Sequence, residues 1–361
     1  MTTKMYSNED LRQGRTDFNQ FVPVIAHGDS WGSFGSLPTW LTGSLFNALD
    51  FGKDVGIVNY AMPGQLLRDL PDPKKFSKFN QAMTARGTPH WRALMISGGG
   101  NDLIDWIRRS PGFDLSQRIL RRQDEWQDPS QGVARYLSQS GWTHFCEELM
   151  DAYVKLDALR DGNFAGMVII THVYDYMTPR FAPVIGGGSN AWMAPAFEMA
   201  GIPKGDWTAV AHVLVDWFHD FLDHQVKARI GGFLVLDTRG GSKPAVPGTT
   251  GISNDWANEI HLTAQGYRTL AAAKCNATLT ALATTWTTGE IADATTPPAA
   301  AALRALESTL QASAGAPPTT AKAMAKSVKQ VPDAPAKKLK KPVKTKAAKV
   351  TKAAKSTKQP R

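Results

Sequence analysis

The sequence predicts an α/β fold built on a parallel sheet covered on both faces, and three observations carry that expectation. Five short apolar runs recur along the chain, longer amphipathic segments separate them, and the runs end in glycine, polar or aromatic residues. The runs are 22–28 (VPVIAHG), 55–61 (VGIVNYA), 92–98 (RALMISG), 166–174 (GMVIITHVY) and 233–239 (FLVLDTR). Continuous apolar runs of this length, most of them rich in β-branched residues, are the signature of strands buried on both sides. Between them, 103–110, 141–160, 207–230 and 263–285 place apolar residues at helical spacing. Strands and helices alternating in this way form βαβ units and a doubly wound sheet.

Two regions break the pattern. Residues 176–205 combine Gly, Pro, Met and aromatics after the fourth run. So long a segment beyond a strand is either a lid or specificity element or a packed surface excursion. From about Thr287 onward Ala, Pro, Thr and Lys take over, with 299–312 still able to form a helix. The expected division is an N-terminal extension (1–21), a folded domain (22–286), a linker with a helix (287–318) and a disordered Lys/Ala/Pro-rich tail (319–361).

The charge follows that division. The 361 residues carry a net +9, but 319–361 holds 13 Lys and one Arg against a single acid, Asp333, a net +13. Removing it leaves a mildly acidic body at −4, so the whole-chain basicity says little about a site in the folded part. The tail suits non-specific binding of nucleic acid or another polyanion through counterion release. It lacks aromatics for base stacking, and a solvated extension accounts for it equally well. No apolar stretch approaches the roughly 20 residues of a membrane span, and the N-terminus lacks the apolar core of a secretory signal, which makes a cytoplasmic protein the expectation. Cys146 and Cys275 stand far apart in unrelated contexts and read as small buried hydrophobes, neither a disulfide framework nor a metal site.

In an open α/β sheet ligands bind beyond the carboxyl ends of the strands. There the sequence places Gly28-Asp29-Ser30-Trp31, then Ala61-Met62-Pro63-Gly64, then Gly98-Gly99-Gly100-Asn101-Asp102; Asp255-Trp256-Ala257-Asn258-Glu259-Ile260-His261 follows near the end of the folded part. Singly each has an ordinary reading: a serine after a strand caps a helix, a glycine triplet turns the chain, a histidine before a helix caps it. The triplet is not a phosphate loop, because no Lys-Ser/Thr follows. Together, a serine, an exposed backbone glycine, a side-chain amide and a histidine are the parts of acyl transfer: nucleophile, oxyanion donors and base.

This ordered set resembles the SGNH hydrolase superfamily, the GDSL-type esterases and lipases, in all four of its sequence blocks from residue 22 to about 285. The resemblance implies a three-layer α/β/α fold with a flavodoxin-like five-stranded parallel sheet. It implies Ser30 as nucleophile, backbone N–H groups of Ser30 and Gly64 with the Asn101 amide as oxyanion hole, and His261 as general base. It implies a carboxylic ester hydrolase needing no cofactor and no metal. The chain departs from the family where Asn258 stands in place of the aspartate three residues before the histidine. Asn258 can orient the imidazole but cannot stabilise the imidazolium as a carboxylate does. Asp255, six residues before His261, or Glu259 could supply the charge; Asp255 is otherwise a turn carboxylate.

Substrates consistent with this reading are small-molecule or glycan esters, with carbohydrate O-deacetylation or thioester hydrolysis as alternatives on the same residues. A rival from another class is a polyanion-binding protein acting through its tail. Asp29 and Asp102 are expected to fix their loops through backbone N–H groups. The cluster His219-Asp220-Phe221-Leu222-Asp223-His224 reads better as helix-surface charge than as a metal site. Tyr174-Asp175-Tyr176 either borders the pocket or forms a turn with aromatics packed beneath it, and the eleven tryptophans, Trp31 and Trp40 near the serine included, could line an acyl or sugar site, although most read as core residues.

Overall fold

The computed structural model describes residues 2–33, 43–85, 88–164, 166–183, 191–286, 288 and 303. The linker and tail expected beyond 286, the helix at 299–312 and Trp40 thus lie outside the described residues, Thr288 and Leu303 apart.

Six strands form one parallel sheet: β1 (Thr3–Tyr6), β2 (Val22–Gly28), β3 (Val55–Asn59), β4 (Ala93–Ser97), β5 (Val168–His172) and β6 (Phe233–Leu236), in the order β1-β3-β2-β4-β5-β6. Without β1 the order is that of a flavodoxin-type doubly wound sheet. Strands β2, β4 and β5 are buried at every position, because helices flank the sheet on both sides and leave neither face to solvent.

The expected count of five strands is corrected to six. The additional strand lies within the segment expected to be an extension and pairs with β3, Thr3 against Val55 through Tyr6 against Val58. Its sequence, Thr-Lys-Met-Tyr, has no apolar run, and only Tyr6 is buried. An edge strand needs one partner and one covered side chain, so little in its own residues marks it.

The principal helices are α1 (Ser77–Thr84), α2 (Gly100–Ile107), α3 (Gln139–Asp161), α4 (Met193–Met199), α5 (Trp207–Asp220), α6 (Ala264–Lys274) and α7 (Asn276–Ala283). Ser138 begins α3 by accepting a hydrogen bond from the Gly141 N–H at 3.0 Å, the side-chain cap expected of serine there. Helix α5 runs on through a π-helical stretch, Phe221–Val226, and a last turn, Lys227–Arg229. The span 263–285, read as one helix, is two, parted at Cys275, whose φ of −114° is far from the helical value while its ψ of −48° stays in the right-handed region. Among the described residues no helix is long and apolar enough to cross a membrane.

This topology sets the loops after β2, β3, β4 and β5 side by side at the carboxyl edge of the sheet. That edge carries the residues the sequence singles out.

Candidate active site

Ser30 follows the end of β2 by two residues. The turn is held by Asp29, whose backbone N–H donates to the Ser97 carbonyl at 2.8 Å on the neighbouring β4. The Asp29 carboxylate accepts from the Trp31 N–H at 3.0 Å, from the Ser97 hydroxyl at 2.6 Å and from the Tyr174 hydroxyl. Burial pushes Asp29 up to about 6, against the pull of those donors. Tyr174 in turn accepts from the Gly100 N–H at 3.0 Å, which ties the start of α2 to the serine turn. His172, at the end of β5, contacts the Ser97 hydroxyl at 2.9 Å and stacks on Trp31.

The second half of the site comes from the other end of the folded chain. The Ser30 hydroxyl lies 2.7 Å from His261 Nε2, across 231 positions of sequence. Both residues are buried, at 6% and 3% exposure. Trp31 links the two loops directly, its indole N–H donating to the Ile260 carbonyl at 2.9 Å.

The loop 253–263 that carries His261 is locally wound. The His261 carbonyl accepts from the Ala257 N–H at 2.9 Å, and the Thr263 N–H donates to the Asp255 carbonyl at 2.7 Å. Thr263 then caps α6 by accepting from the Gly266 N–H at 2.9 Å. A Cβ on Gly266 would stand 2.3 Å from the Asp255 carbonyl oxygen, so only glycine lets α6 pack this close to the loop. Burial depresses the His261 imidazole to about 3, leaving it neutral at ordinary pH.

The three candidates for partner of His261 diverge. The Asn258 amide nitrogen lies 3.1 Å from His261 Nδ1, while its Oδ1 accepts from the backbone N–H groups of Ile260 at 3.0 Å and His261 at 2.8 Å. The Asp255 carboxylate turns instead to the Lys243 backbone N–H at 2.7 Å. Glu259 points away from the imidazole. Its buried carboxylate accepts from the backbone N–H groups of Arg180, Trp192, Met193 and Ala194, at 3.2, 2.5, 2.9 and 2.7 Å. It thereby anchors the start of α4 to the histidine loop, and desolvation raises its pKa.

Asn101 sits in the first turn of α2, and its amide donates to the Gln65 carbonyl at 2.9 Å. Gly64 precedes Gln65 in a left-handed conformation (φ 80°). The adjacent Asp102 is buried, and its carboxylate accepts from the Leu67 N–H at 2.7 Å and the Arg68 N–H at 3.4 Å. Asn101 and Asp102 thus hold the loop after β3 against the start of α2 on either side of Leu66.

Beside Ser30 a small cavity of about 30 Å³ is walled by Trp31, Asn101, Ile104, Tyr174, Met177, Met193 and Phe218 among others, almost all of its surface apolar. Two of these, Met177 and Met193, belong to the long segment 176–205, so part of that segment is a wall of the cavity. Its residues 184–190 lie outside the described residues.

Sequence reasoning missed the anchoring role of Glu259 and the buried Asp29–Ser97–His172 set. No local pattern marks either one, because both depend on which strands and loops become neighbours. Among the described residues no group of three or more His, Cys, Asp or Glu is gathered as for a metal ion. His219 lies 3.2 Å from Asp220, and His224 lies 3.7 Å from Asp223, as side-by-side surface pairs.

No family model matches the chain, and no curated protein matches it in sequence. Solved structures resemble it at low identity. A lipase from a goat rumen metagenome is 12% identical, with 70% of this chain and 94% of that one covered and a TM-score of 0.38. The inhibitor-bound aryl esterase of M. smegmatis is 13% identical, with 70% and 95% covered and a TM-score of 0.38. Est24, a carbohydrate acetylesterase from Sinorhizobium meliloti, is 14% identical, with 69% and 94% covered and a TM-score of 0.36.

Proposed function

We propose that this protein is a serine esterase of the SGNH type that hydrolyses carboxylic esters of short acyl chains. The observation that carries the reading is the 2.7 Å contact between the Ser30 hydroxyl and His261 Nε2 at the carboxyl edge of the sheet. A nucleophile within hydrogen-bond reach of a neutral imidazole, beside an apolar cavity, is the arrangement acyl transfer requires. The four ordered sequence blocks support it independently.

In this mechanism Ser30 Oγ attacks the ester carbonyl and its proton passes to His261 Nε2. The carbonyl π electrons move onto oxygen, where the N–H groups of Ser30 and Gly64 and the Asn101 amide receive them. Collapse breaks the bond to the alcohol oxygen, which leaves with the proton from His261. Water then attacks the acyl-enzyme, giving its proton to His261, and Ser30 departs with that proton as the free acid forms.

A cavity of about 30 Å³ holds roughly two water-sized groups, enough for an acetyl or propionyl chain. On a series of aryl esters kcat/KM is therefore expected to peak at two to three acyl carbons and to fall by about tenfold or more at eight. Competition between an aryl acetate and an acetylated sugar, followed by acetate release, separates esterase from carbohydrate deacetylase action. Absence of hydrolysis across the whole series, thioesters included, would refute the reading.

Asn101→Ala tests the oxyanion assignment. Loss of one such donor lowers kcat by about 10²–10³, and KM should change little. Because Asn101 also holds Gln65, thermal unfolding of the variant must be measured beside its kinetics.

A further inference from the structure

The esterase reading gives His261 the part of base, which needs a lone pair on Nε2 facing Ser30. The atoms around Asn258 favour the opposite state. Asn258 Oδ1 accepts from two backbone N–H groups, those of Ile260 at 3.0 Å and His261 at 2.8 Å. Backbone amides donate and cannot accept at nitrogen, so this arm must be the oxygen. Turning the amide over would press an NH2 group against two N–H groups. The other arm, Nδ2, stands 3.1 Å from His261 Nδ1 and has only hydrogens to offer. A neutral imidazole meets a donor with a lone pair, which puts its single hydrogen on the far nitrogen, Nε2, 2.7 Å from the Ser30 hydroxyl.

We infer that Asn258 is a positioning residue that locks His261 in the Nε2–H tautomer, so that in the resting enzyme Ser30 accepts a hydrogen bond from its own base and ester hydrolysis is held far below what the same site could deliver. The inference rests on the esterase reading for its consequence, but on hydrogen-bond geometry for the tautomer. For acylation to begin, the imidazole proton must move from Nε2 to Nδ1, and the Asn258 NH2 group must give way to it. That second move breaks both backbone contacts to Oδ1. Escape through the imidazolium is also opposed, since burial disfavours its charge.

An aspartate at this position would reverse each of these effects. One carboxylate oxygen would keep the Ile260 and His261 N–H groups, and the other would accept from Nδ1–H. That frees the Nε2 lone pair and supports the imidazolium. Where a catalytic aspartate is replaced by its amide with geometry intact, kcat falls about 10⁴-fold through the wrong tautomer. Asn258→Asp is the same exchange run backwards, and it should raise kcat by about 10²–10⁴-fold with KM little changed. A residue with a merely structural role would lose activity on substitution, not gain it.

The test combines two measurements on the full chain. Nitrogen-15 NMR of labelled histidine, with His261 assigned by comparison with His261→Gln, should show a protonated Nε2 and an unprotonated Nδ1 in the parent protein. The two should exchange roles in Asn258→Asp. A parent protein with the hydrogen on Nδ1 overturns the inference without any appeal to activity. A folded Asn258→Asp that labels at Ser30 with a fluorophosphonate, yet hydrolyses aryl acetates no faster than the parent, overturns it as well. Failure of Ser30 to label in either protein would count against the esterase reading, and the NMR result still decides the tautomer.

Discussion

Ser30→Ala should give a folded protein whose kcat on an aryl acetate is lower by about 10²–10⁴-fold. Removing the nucleophile of a fully equipped serine hydrolase costs about 10⁶ in kcat, and the His261 tautomer already withholds about 10²–10⁴ of that from the parent. Stability should change little. The Ser30 side chain makes its hydrogen bond to His261, while the turn is held by Asp29, Trp31 and Ser97 through bonds that do not involve the Ser30 hydroxyl. A net contribution of about 1 kcal/mol is ordinary for one such hydrogen bond. The check is steady-state kinetics beside calorimetry. An unfolding midpoint near the parent's with activity lost assigns the loss to chemistry, whereas full activity in a folded variant removes Ser30 from the mechanism.

Gly28→Ala should have the largest effect on the fold. Gly28 has φ 140°, a conformation nearly closed to other residues. It pairs with Ser97 in the β2–β4 ladder. A Cβ there would lie 2.0 Å from the Ser97 carbonyl oxygen and 2.7 Å from two further backbone atoms of that residue. Nothing flexible stands in the way that could move aside; the strands themselves would have to part. The first bond lost would be that from the Asp29 N–H to the Ser97 carbonyl, which aims the serine turn. A backbone clash added to a strained φ belongs to the exceptional substitutions, about 4 kcal/mol or more. In a domain this large that corresponds to a drop of the order of 10 °C in Tm, with activity lost in parallel. A Tm within a degree or two of the parent's would contradict the placement of Gly28 against Ser97.

Much of this architecture was legible in the residues. The five strands other than β1 announce themselves because a strand covered on both faces must be apolar at nearly every position, as in Val22–Gly28 and Val168–His172. The same logic explains the miss at Thr3–Tyr6, where an edge strand with a lysine and a single buried side chain carries no such mark. Cys275 ended a helix that periodicity ran straight through, because a break of one residue barely disturbs apolar spacing. At the site, Ser30, Asn101 and His261 stand out as chemically distinctive residues after strands or before a helix. The partner of His261 was open between three side chains six, three and two positions away, and spacing alone could not choose. Geometry separates them: Asn258 faces Nδ1, Asp255 turns to Lys243, and Glu259 holds α4. Roles of that kind depend on neighbours brought from far along the chain, as Glu259 meets Trp192, Met193 and Arg180 across 67, 66 and 79 positions.

The central claim is that Ser30 is a nucleophile served by His261, and covalent labelling tests it most directly. The full-length protein is treated with a fluorophosphonate, and the adduct is located by intact mass and peptide mapping. The account predicts one adduct per chain, on Ser30, with ester hydrolysis lost in step and no adduct in Ser30→Ala. Hydrolysis that survives treatment, or an adduct on another residue while Ser30 stays unmodified, would contradict it.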